Sequence, residues 1–133
     1  MPSLRGHHLV CLHFFNGEGY NEMFIDNLRA VLNSAKDGEV EVSRGADDIC
    51  RKCPHLNHAR CRYSEDADEG IAEIDERALD LLHLSQGTKV KWDEVKGKLS
   101  RIFQIWYNTY CLTCAWKRAC EKDSRFRQLK ESL

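Results

Sequence analysis

Two cysteine triplets constrain this chain more than any other feature of its sequence, because one fold must place both. Their spacings are C-x2-C-x7-C and C-x2-C-x5-C, with 49 residues (62–110) between them. The sulphurs of a C-x2-C pair can reach one metal ion or cluster while backbone amides of the turn donate hydrogen bonds to them. The repeat is therefore typical of a thiolate metal site. The triplets are Cys50, Cys53, Cys61 and Cys111, Cys114, Cys120.

Hydrophobic periodicity predicts three amphipathic helices. Phe24, Leu28, Val31 and Leu32 have the spacing i, i+4, i+7, i+8, and Gly38 can end that helix. Between the triplets, IAEIDERALDLLHL and WDEVKGKLSRIFQIW both carry apolar residues at i, i+3, i+7, i+10 and i+11. Gly87 offers a C-cap and turn between them, which predicts an antiparallel helical hairpin, with Trp106 in the core.

The predicted fold is mainly α, a small single domain over residues 1–133. The segment EVEVS places Val40 and Val42 on one face of a short strand, so a small sheet element is expected beside the hairpin. The length suits one domain with its own core, and no linker, low-complexity run or solenoid repeat is present.

The hairpin determines where the triplets meet. Cys61 lies shortly before its first helix and Cys111 shortly after its second. At about 1.5 Å per residue the two helices run out and back by comparable distances, about 20–25 Å, so both triplets should lie at one end of the molecule. We therefore predict a metal site held by Cys50, Cys53, Cys111 and Cys114, with Cys61 and Cys120 as further candidates.

The overall composition narrows the setting. The net charge is −1 with 31% charged residues, which argues against nucleic-acid or anionic-membrane binding. No apolar run approaches the roughly 18 residues of a membrane span, and the N-terminal segment lacks a small-residue cleavage site. Seven cysteines is an odd count, which favours metal binding or redox chemistry in a reducing cytoplasm over structural disulfides.

A second site is a candidate at His7 and Cys11, which would share a helix face at i, i+4. The alternative is that Cys11 packs as a small hydrophobe and that His7 and His8 are satisfied core or capping side chains. His55 and His58 are expected to be exposed loop residues. Asp47 and Asp48 are expected to cap the turn at Cys50, with an outer role at a metal site as the alternative.

The spacing favours an iron-sulphur cluster over zinc, and [4Fe–4S] is the cluster type that we expect. Pro54 follows Cys53 as proline follows the last cysteine of bacterial ferredoxin runs, although those runs are denser in cysteine. Zinc ribbons usually separate their C-x2-C pairs by about 12–20 residues, far fewer than here. A zinc-structured binding module with a four-cysteine site remains the alternative.

Three segments of the chain resemble a known family: LRGHHLVCLHFFNGEGYNEMFIDNL, DDICRKCP with Cys61, and CLTCAWKRAC. With the opening pattern R-x-H-H-L-x-C, they are similar to an uncharacterised bacterial and archaeal family of short proteins described as iron-sulphur-binding, over nearly the whole chain. The resemblance implies iron-sulphur binding but no reaction, substrate or catalytic residue. One departure is Gly6, where proline is more frequent in the family. The matching positions are Arg5, His7, His8, Leu9, Cys11, Gly17, Gly19, Tyr20, Asp48, Cys50, Cys53, Pro54, Cys61, Cys111, Cys114, Trp116 and Cys120.

Three functional hypotheses follow. The first is an iron-sulphur protein that acts in electron transfer or redox sensing, and the second is the zinc-structured module. The third is a thiol-disulfide oxidoreductase. It is disfavoured because no thioredoxin-like strand-turn-helix pattern surrounds either C-x2-C motif. Basic residues near the cysteines would stabilise an anionic cluster and could dock an acidic redox protein. These residues are Arg51, Lys52, Arg60, Arg62, Lys117, Arg118 and Lys122.

Overall fold

The computed structural model describes residues 1–17, 21–36, 38–45, 47–50, 53, 56–57, 60–61, 67–114 and 116–133. Of these, the side chains of residues 56, 57, 60, 61, 67 and 68 are not described. Several residues named above fall outside this part of the chain: Gly19, Tyr20, Arg51, Lys52, Pro54, His55, His58 and Arg62, with the side chains of Arg60 and Cys61.

A three-stranded sheet has the order β1-β2-β5. The central strand β2 (Glu39–Ser43) runs parallel to β1 (Ser3–Arg5), with Leu4 opposite Val42, and antiparallel to β5 (Lys89–Lys91), with Val40 opposite Val90. These four apolar side chains are buried. The predicted strand EVEVS with its inward valines is therefore confirmed. A separate antiparallel pair joins β3 (Leu56–Asn57) to β4 (Arg60–Cys61).

Helices make up most of the described chain, which confirms the mainly helical prediction. The described residues form six α-helices, which are α1 (Gly6–Cys11), α2 (Glu22–Lys36), α3 (Ala67–Leu82), α4 (Trp92–Thr109), α5 (Lys117–Glu121) and α6 (Ser124–Glu131). Short 3-10 turns follow α1 and α4, at Leu12–Phe14 and Cys111–Thr113.

The predicted apolar faces of α2 and α4 form much of the core. In α2 the four periodic residues are all buried, and the Oδ1 atom of Asn21 caps the helix by accepting a hydrogen bond from the backbone N–H of Phe24 at 2.8 Å. In α4 the buried face runs from Trp92 to Tyr107 and includes Trp106, as expected. No described helix has both the length and the apolar composition of a membrane span.

The connection between α3 and α4 differs from the prediction that Gly87 caps α3. The helix ends at Leu82, and His83 takes the left-handed conformation (φ 57°) while the N–H of Leu84 reaches back to the carbonyl of Leu79 at 3.0 Å. This is a Schellman-type end, and a left-handed histidine is uncommon there. Gly87 (φ 85°) instead lies in the turn that leads into β5, so a strand separates the two helices.

Helix α1 approaches α3 very closely at Gly6. A Cβ atom at this position would lie 2.2 Å from the carbonyl oxygen of Asp75, a backbone atom that cannot rotate away. The glycine therefore matters for helix packing in this chain, beyond the stiffness of the turn. The contact brings the start of α1, with Arg5, His7 and His8, against the middle of α3.

Candidate metal centre

Four cysteines line a single cavity of about 230 Å³. Cys11 ends α1, Cys111 and Cys114 belong to the turn after α4, and Cys120 lies in α5. Cys114 is the exposed member, and the other three are half-buried. The cavity thus collects the second triplet together with the one cysteine that lies outside both triplets. The remaining walls are mainly aromatic and aliphatic, and include Phe14, Phe24, Leu28, Trp106, Trp116 and Phe126.

The loop after α4 is folded back on itself by local hydrogen bonds. The N–H of Cys114 donates to the carbonyl of Cys111 at 3.2 Å, and the N–H of Cys120 donates to the carbonyl of Trp116 at 3.0 Å. The N–H of Trp116 donates to the Sγ atom of Cys114 at 3.4 Å. Amide-to-sulphur hydrogen bonds of this kind stabilise a thiolate at a metal centre.

The cavity cysteines interact electrostatically. Burial, followed by the charges that Cys114 and Cys120 would carry, raises the pKa of Cys111 to about 12. Burial and the same kind of repulsion from Cys120 and Cys111 raise the pKa of Cys11 well above its ordinary value. Several thiolates cannot share a weakly solvated space without a compensating cation, so Cys11 and Cys111 hold their protons until a cation replaces them.

Cys50 lies in a different group, with His8 and Asp47. One ligand atom from each of these three residues falls within 4.8 Å of the other two. The Sγ atom of Cys50 accepts a hydrogen bond from the Nη1 atom of Arg5 at 3.5 Å. Burial and the charge of Asp47 nevertheless raise the pKa of the Cys50 thiol to about 12.

Asp47 organises the turn that precedes Cys50. Its Oδ1 atom accepts the backbone N–H groups of Ile49 and Cys50, both at 3.0 Å, and its Oδ2 atom accepts the N–H of Arg5 at 2.7 Å. The predicted capping role is therefore confirmed for Asp47, whereas the Oδ2 atom of Asp48 accepts the N–H of Ser3 at 2.8 Å. The Oδ2 atom of Asp47 also lies 2.6 Å from Nδ1 of His8. Burial opposes ionisation of Asp47, but these donors outweigh it and lower the pKa of the carboxyl.

Asp75 makes the matching set of contacts from α3. It accepts the Nε–H of Arg5 at 2.6 Å and the backbone N–H of His7 at 2.9 Å, and its Oδ1 atom lies 2.6 Å from Nδ1 of His7. Burial would raise the pKa of Asp75, but the contacts with His7 and Arg5 lower it overall. Burial and the adjacent His8 lower the pKa of His7, which keeps its ring neutral.

The two histidines lie side by side on the cavity wall. Both line the cavity, and their ring centroids are 4.1 Å apart at an interplanar angle of 48°. Neighbouring residues of a helix point about 100° apart. Here the two rings lie close together, and each is held at Nδ1 by a carboxylate from a different element, Asp47 from the loop after β2 and Asp75 from α3.

The sequence-predicted ligands thus fall into two adjoining groups. Cys111, Cys114 and Cys120 lie on the cavity with Cys11, whereas neither Cys50 nor Cys53 is among the described residues that line it. The N–H of Cys53 donates to the carbonyl of Cys50 at 2.9 Å, and the Cys53 side chain packs against the core. Because His8 belongs to the cavity wall and also contacts the Cys50 group, the two groups are neighbours. Ligation by Cys50, Cys53 and Cys61 stays a prediction.

Sequence reasoning missed Arg5 and Asp75 as members of this network. A signal was present, since Asp75 lies on the same helical stripe as Ile71, Ala78 and Leu82, where a charge is out of place. A buried carboxylate of this kind requires a partner. The identity of that partner, 70 residues away at the end of β1, could not be read from the stripe.

Among the basic residues predicted near the cysteines, Lys117 lines the cavity and its charge favours the thiolate form of Cys111. Lys117 also lies 4.0 Å from the carboxylate of Glu121, one turn along α5. Arg118 and Lys122 are exposed on the same short stretch. In the described part of the chain, three of the predicted basic residues therefore lie beside the second triplet, interleaved with Glu121 and Asp123.

Comparison with known proteins places the chain by its sequence. No curated protein and no solved structure matches it. A family model described as "Protein of unknown function (DUF1284)" matches residues 19–120, which include both triplets but not His7, His8 or Cys11. Since that match spans more than half of the 133 residues, the chain belongs to the DUF1284 family of proteins of unknown function.

Proposed function

We propose that this protein binds an iron-sulphur cluster in the cavity through Cys11, Cys111, Cys114 and Cys120, and acts in electron transfer or redox sensing. The observation that carries the proposal is that these four cysteines, from three separate elements, line one cavity. Four cysteine thiolates are the usual ligand set of both [2Fe–2S] and [4Fe–4S] clusters. We favour [4Fe–4S], in keeping with the sequence analysis.

The size of the site fits a multi-atom cofactor better than a single ion. A cavity of about 230 Å³ holds many times the ~10–15 Å³ that one water molecule needs. Around one tetrahedral zinc, with bonds of about 2.3 Å, sulphurs lie about 3.8 Å apart. Within the described residues, only His8, Asp47 and Cys50 bring three ligand atoms within 4.8 Å of one another, so the cavity cysteines are more widely spread. Both features favour the cluster over the zinc alternative.

The surrounding residues suit a redox centre. A bound cluster supplies one-electron transfer, and the protein tunes it through hydrogen bonds to sulphur, nearby charge and solvent access. The Trp116 N–H on Cys114 and the Lys117 ammonium both favour the thiolate form, while the aromatic walls limit water. The exposed Arg118 and Lys122 could dock an acidic redox protein. A reducing cytoplasm would keep the thiols available.

The same data weigh against the third hypothesis, a thiol-disulfide oxidoreductase. A nucleophilic cysteine in a C-x2-C motif needs a lowered pKa. The first cysteines of the two motifs, Cys50 and Cys111, both have their pKa raised to about 12. The thiols are therefore suited to binding a cation and not to attacking a disulfide.

Anaerobic purification, an absorption spectrum, and iron, sulphide and zinc analysis test the proposal. We expect a coloured protein with iron and acid-labile sulphide. A colourless anaerobic preparation with stoichiometric zinc would refute the cluster. Zinc found only after aerobic purification would not refute the cluster, because zinc can replace a lost cluster at thiolate ligands.

Paired substitutions decide between the two ligand sets. Cys11→Ser and Cys120→Ser should each lower cluster content strongly, whereas Cys50→Ser and Cys53→Ser should leave most of it, with far-UV circular dichroism confirming that every variant folds. The opposite pattern would return the ligand set to Cys50, Cys53, Cys111 and Cys114. Loss in all of these variants would assign ligands to both groups and overturn the four-residue assignment.

A further inference from the structure

The tautomers of His7 and His8 follow from their carboxylate partners. Asp47 and Asp75 each accept several N–H donors, and an ionised carboxylate can only accept hydrogen bonds. Each lies 2.6 Å from a histidine Nδ1 atom. In the uncharged form of either ring the proton is therefore on Nδ1, and the lone pair is on Nε2. A metal-binding histidine almost always has this carboxylate arrangement on its other nitrogen.

The carboxylates have other donors and do not need the histidines for satisfaction. Asp47 already accepts three backbone N–H groups, and Asp75 accepts the Arg5 side chain and the backbone N–H of His7. The side chains of His7 and His8 are 22% and 13% exposed, so the rings reach the cavity while their Nδ1 sides are held in the protein. Each ring is thus fixed through Nδ1 at a place on the cavity wall.

The spacing of the rings suits one shared ion. With bonds of about 2.1 Å, each ring centroid lies about 3.2 Å from the metal, so two rings at a right angle have centroids about 4.5 Å apart. The observed separation is 4.1 Å. The observed centroid separation is thus close to that of two imidazoles bound to one ion.

We propose that His7 and His8, on the wall of the cavity, bind one divalent transition-metal ion through their Nε2 atoms. The site is separate from the four-cysteine cluster site and adds a histidine-bound ion beside it. Imidazole nitrogen selects zinc, iron, cobalt or nickel over magnesium and calcium. The other coordination positions are left for water or a substrate in the cavity.

Cobalt(II) is the probe, because pulsed EPR detects the nitrogen nuclei of coordinated imidazole separately from sulphur ligands. The protein is titrated anaerobically with Co²⁺, both as isolated and after chelator treatment. We expect coupling from two imidazole nitrogens, displaced by Zn²⁺ and not by Mg²⁺. Absence of imidazole coupling in the wild-type protein overturns the proposal without any variant.

Substitutions assign the coupling to the two rings. His7→Gln and His8→Gln should each remove one imidazole and weaken Co²⁺ binding at least tenfold, while His83→Gln, a change at an exposed histidine in the α3–α4 connection, should change neither. Coupling that survives in both cavity variants, or that disappears in the His83 variant, refutes the assignment.

The outcomes separate this site from the proposed cluster. Protein that never carries iron and sulphide but shows imidazole-bound cobalt would refute the cluster alone. Protein that carries the cluster but shows no imidazole-bound cobalt would refute the histidine site alone.

Discussion

Replacing Asp75 by asparagine should destabilise the fold far more than the same change at its sequence neighbour Glu76. Both carboxylates pair with an arginine, but in different surroundings. The Arg5–Asp75 pair has side chains only 2% and 5% exposed, with an N···O distance of 2.6 Å. The Arg44–Glu76 pair has side chains 56% and 48% exposed, with distances of 3.1 and 3.3 Å.

The expected magnitudes follow from this difference in burial. Removing one partner of a buried pair leaves an uncompensated charge and typically costs about 3–5 kcal/mol. In Asp75→Asn the Arg5 guanidinium would be that charge, and the ring of His7 would lose its ionised acceptor as well. Exposed pairs contribute about 0–1 kcal/mol because water and salt screen them. Glu76→Gln should therefore stay within about 1 kcal/mol of the wild-type protein.

Urea unfolding at pH 7, followed by tryptophan fluorescence and by far-UV circular dichroism, measures both changes. We expect a much lower midpoint for Asp75→Asn with a similar m-value, and a nearly unchanged midpoint for Glu76→Gln. Equal destabilisation by the two substitutions would show that Arg5 gains no more from its carboxylate than a surface arginine does, and the account of the buried network would be wrong. Added salt should change the stability difference between the wild-type protein and Glu76→Gln, and should leave the difference for Asp75→Asn unchanged.

Two further predictions concern glycines in helices α1 and α4 and the buried side chain of His13. Gly6→Ala should destabilise the fold by about 1–3 kcal/mol, since the new Cβ would overlap the Asp75 carbonyl. Gly97→Ala, in α4 with open space around it, should stabilise the fold by about 0.5–1 kcal/mol. Urea midpoints that move in the same direction for both variants would contradict this. Burial, followed by nearby Arg125 and Lys96, lowers the pKa of His13 to about 3, so the folded state keeps this ring neutral while the unfolded chain protonates it below about 6.5. Above pH 6.5 the neutral His13 ring makes its full contribution to the free energy of unfolding. That contribution falls by up to about 1.4 kcal/mol per pH unit as the pH falls towards 3. His13→Phe should therefore be less sensitive than the wild-type protein between pH 7 and pH 5, and parallel stability curves would refute the assignment.

The hydrophobic pattern by itself determined the main elements of this protein. Helices α2 and α4 and strand β2 lie where periodicity places them, because the burial of one face follows directly from the spacing of apolar residues along the chain. The capping role of Asp47 could also be read locally, since an aspartate in a turn accepts nearby N–H groups. The end of α3 was less predictable, because His83 takes a conformation for which Gly87 was the better candidate by residue type.

Only the tertiary structure decided how the chemically important side chains are grouped. The spacing of cysteines suggested that the two triplets face each other, but the order and angles of packed helices are not written in a local pattern. The packing of α1 against α3 and α4 brings Cys11 to Cys111, Cys114 and Cys120 and sets Asp75 beside Arg5 and His7. Sequence could nominate thiols and imidazoles as ligands, whereas their partners, protons and shared cavity depend on long-range contacts that form only when the core closes.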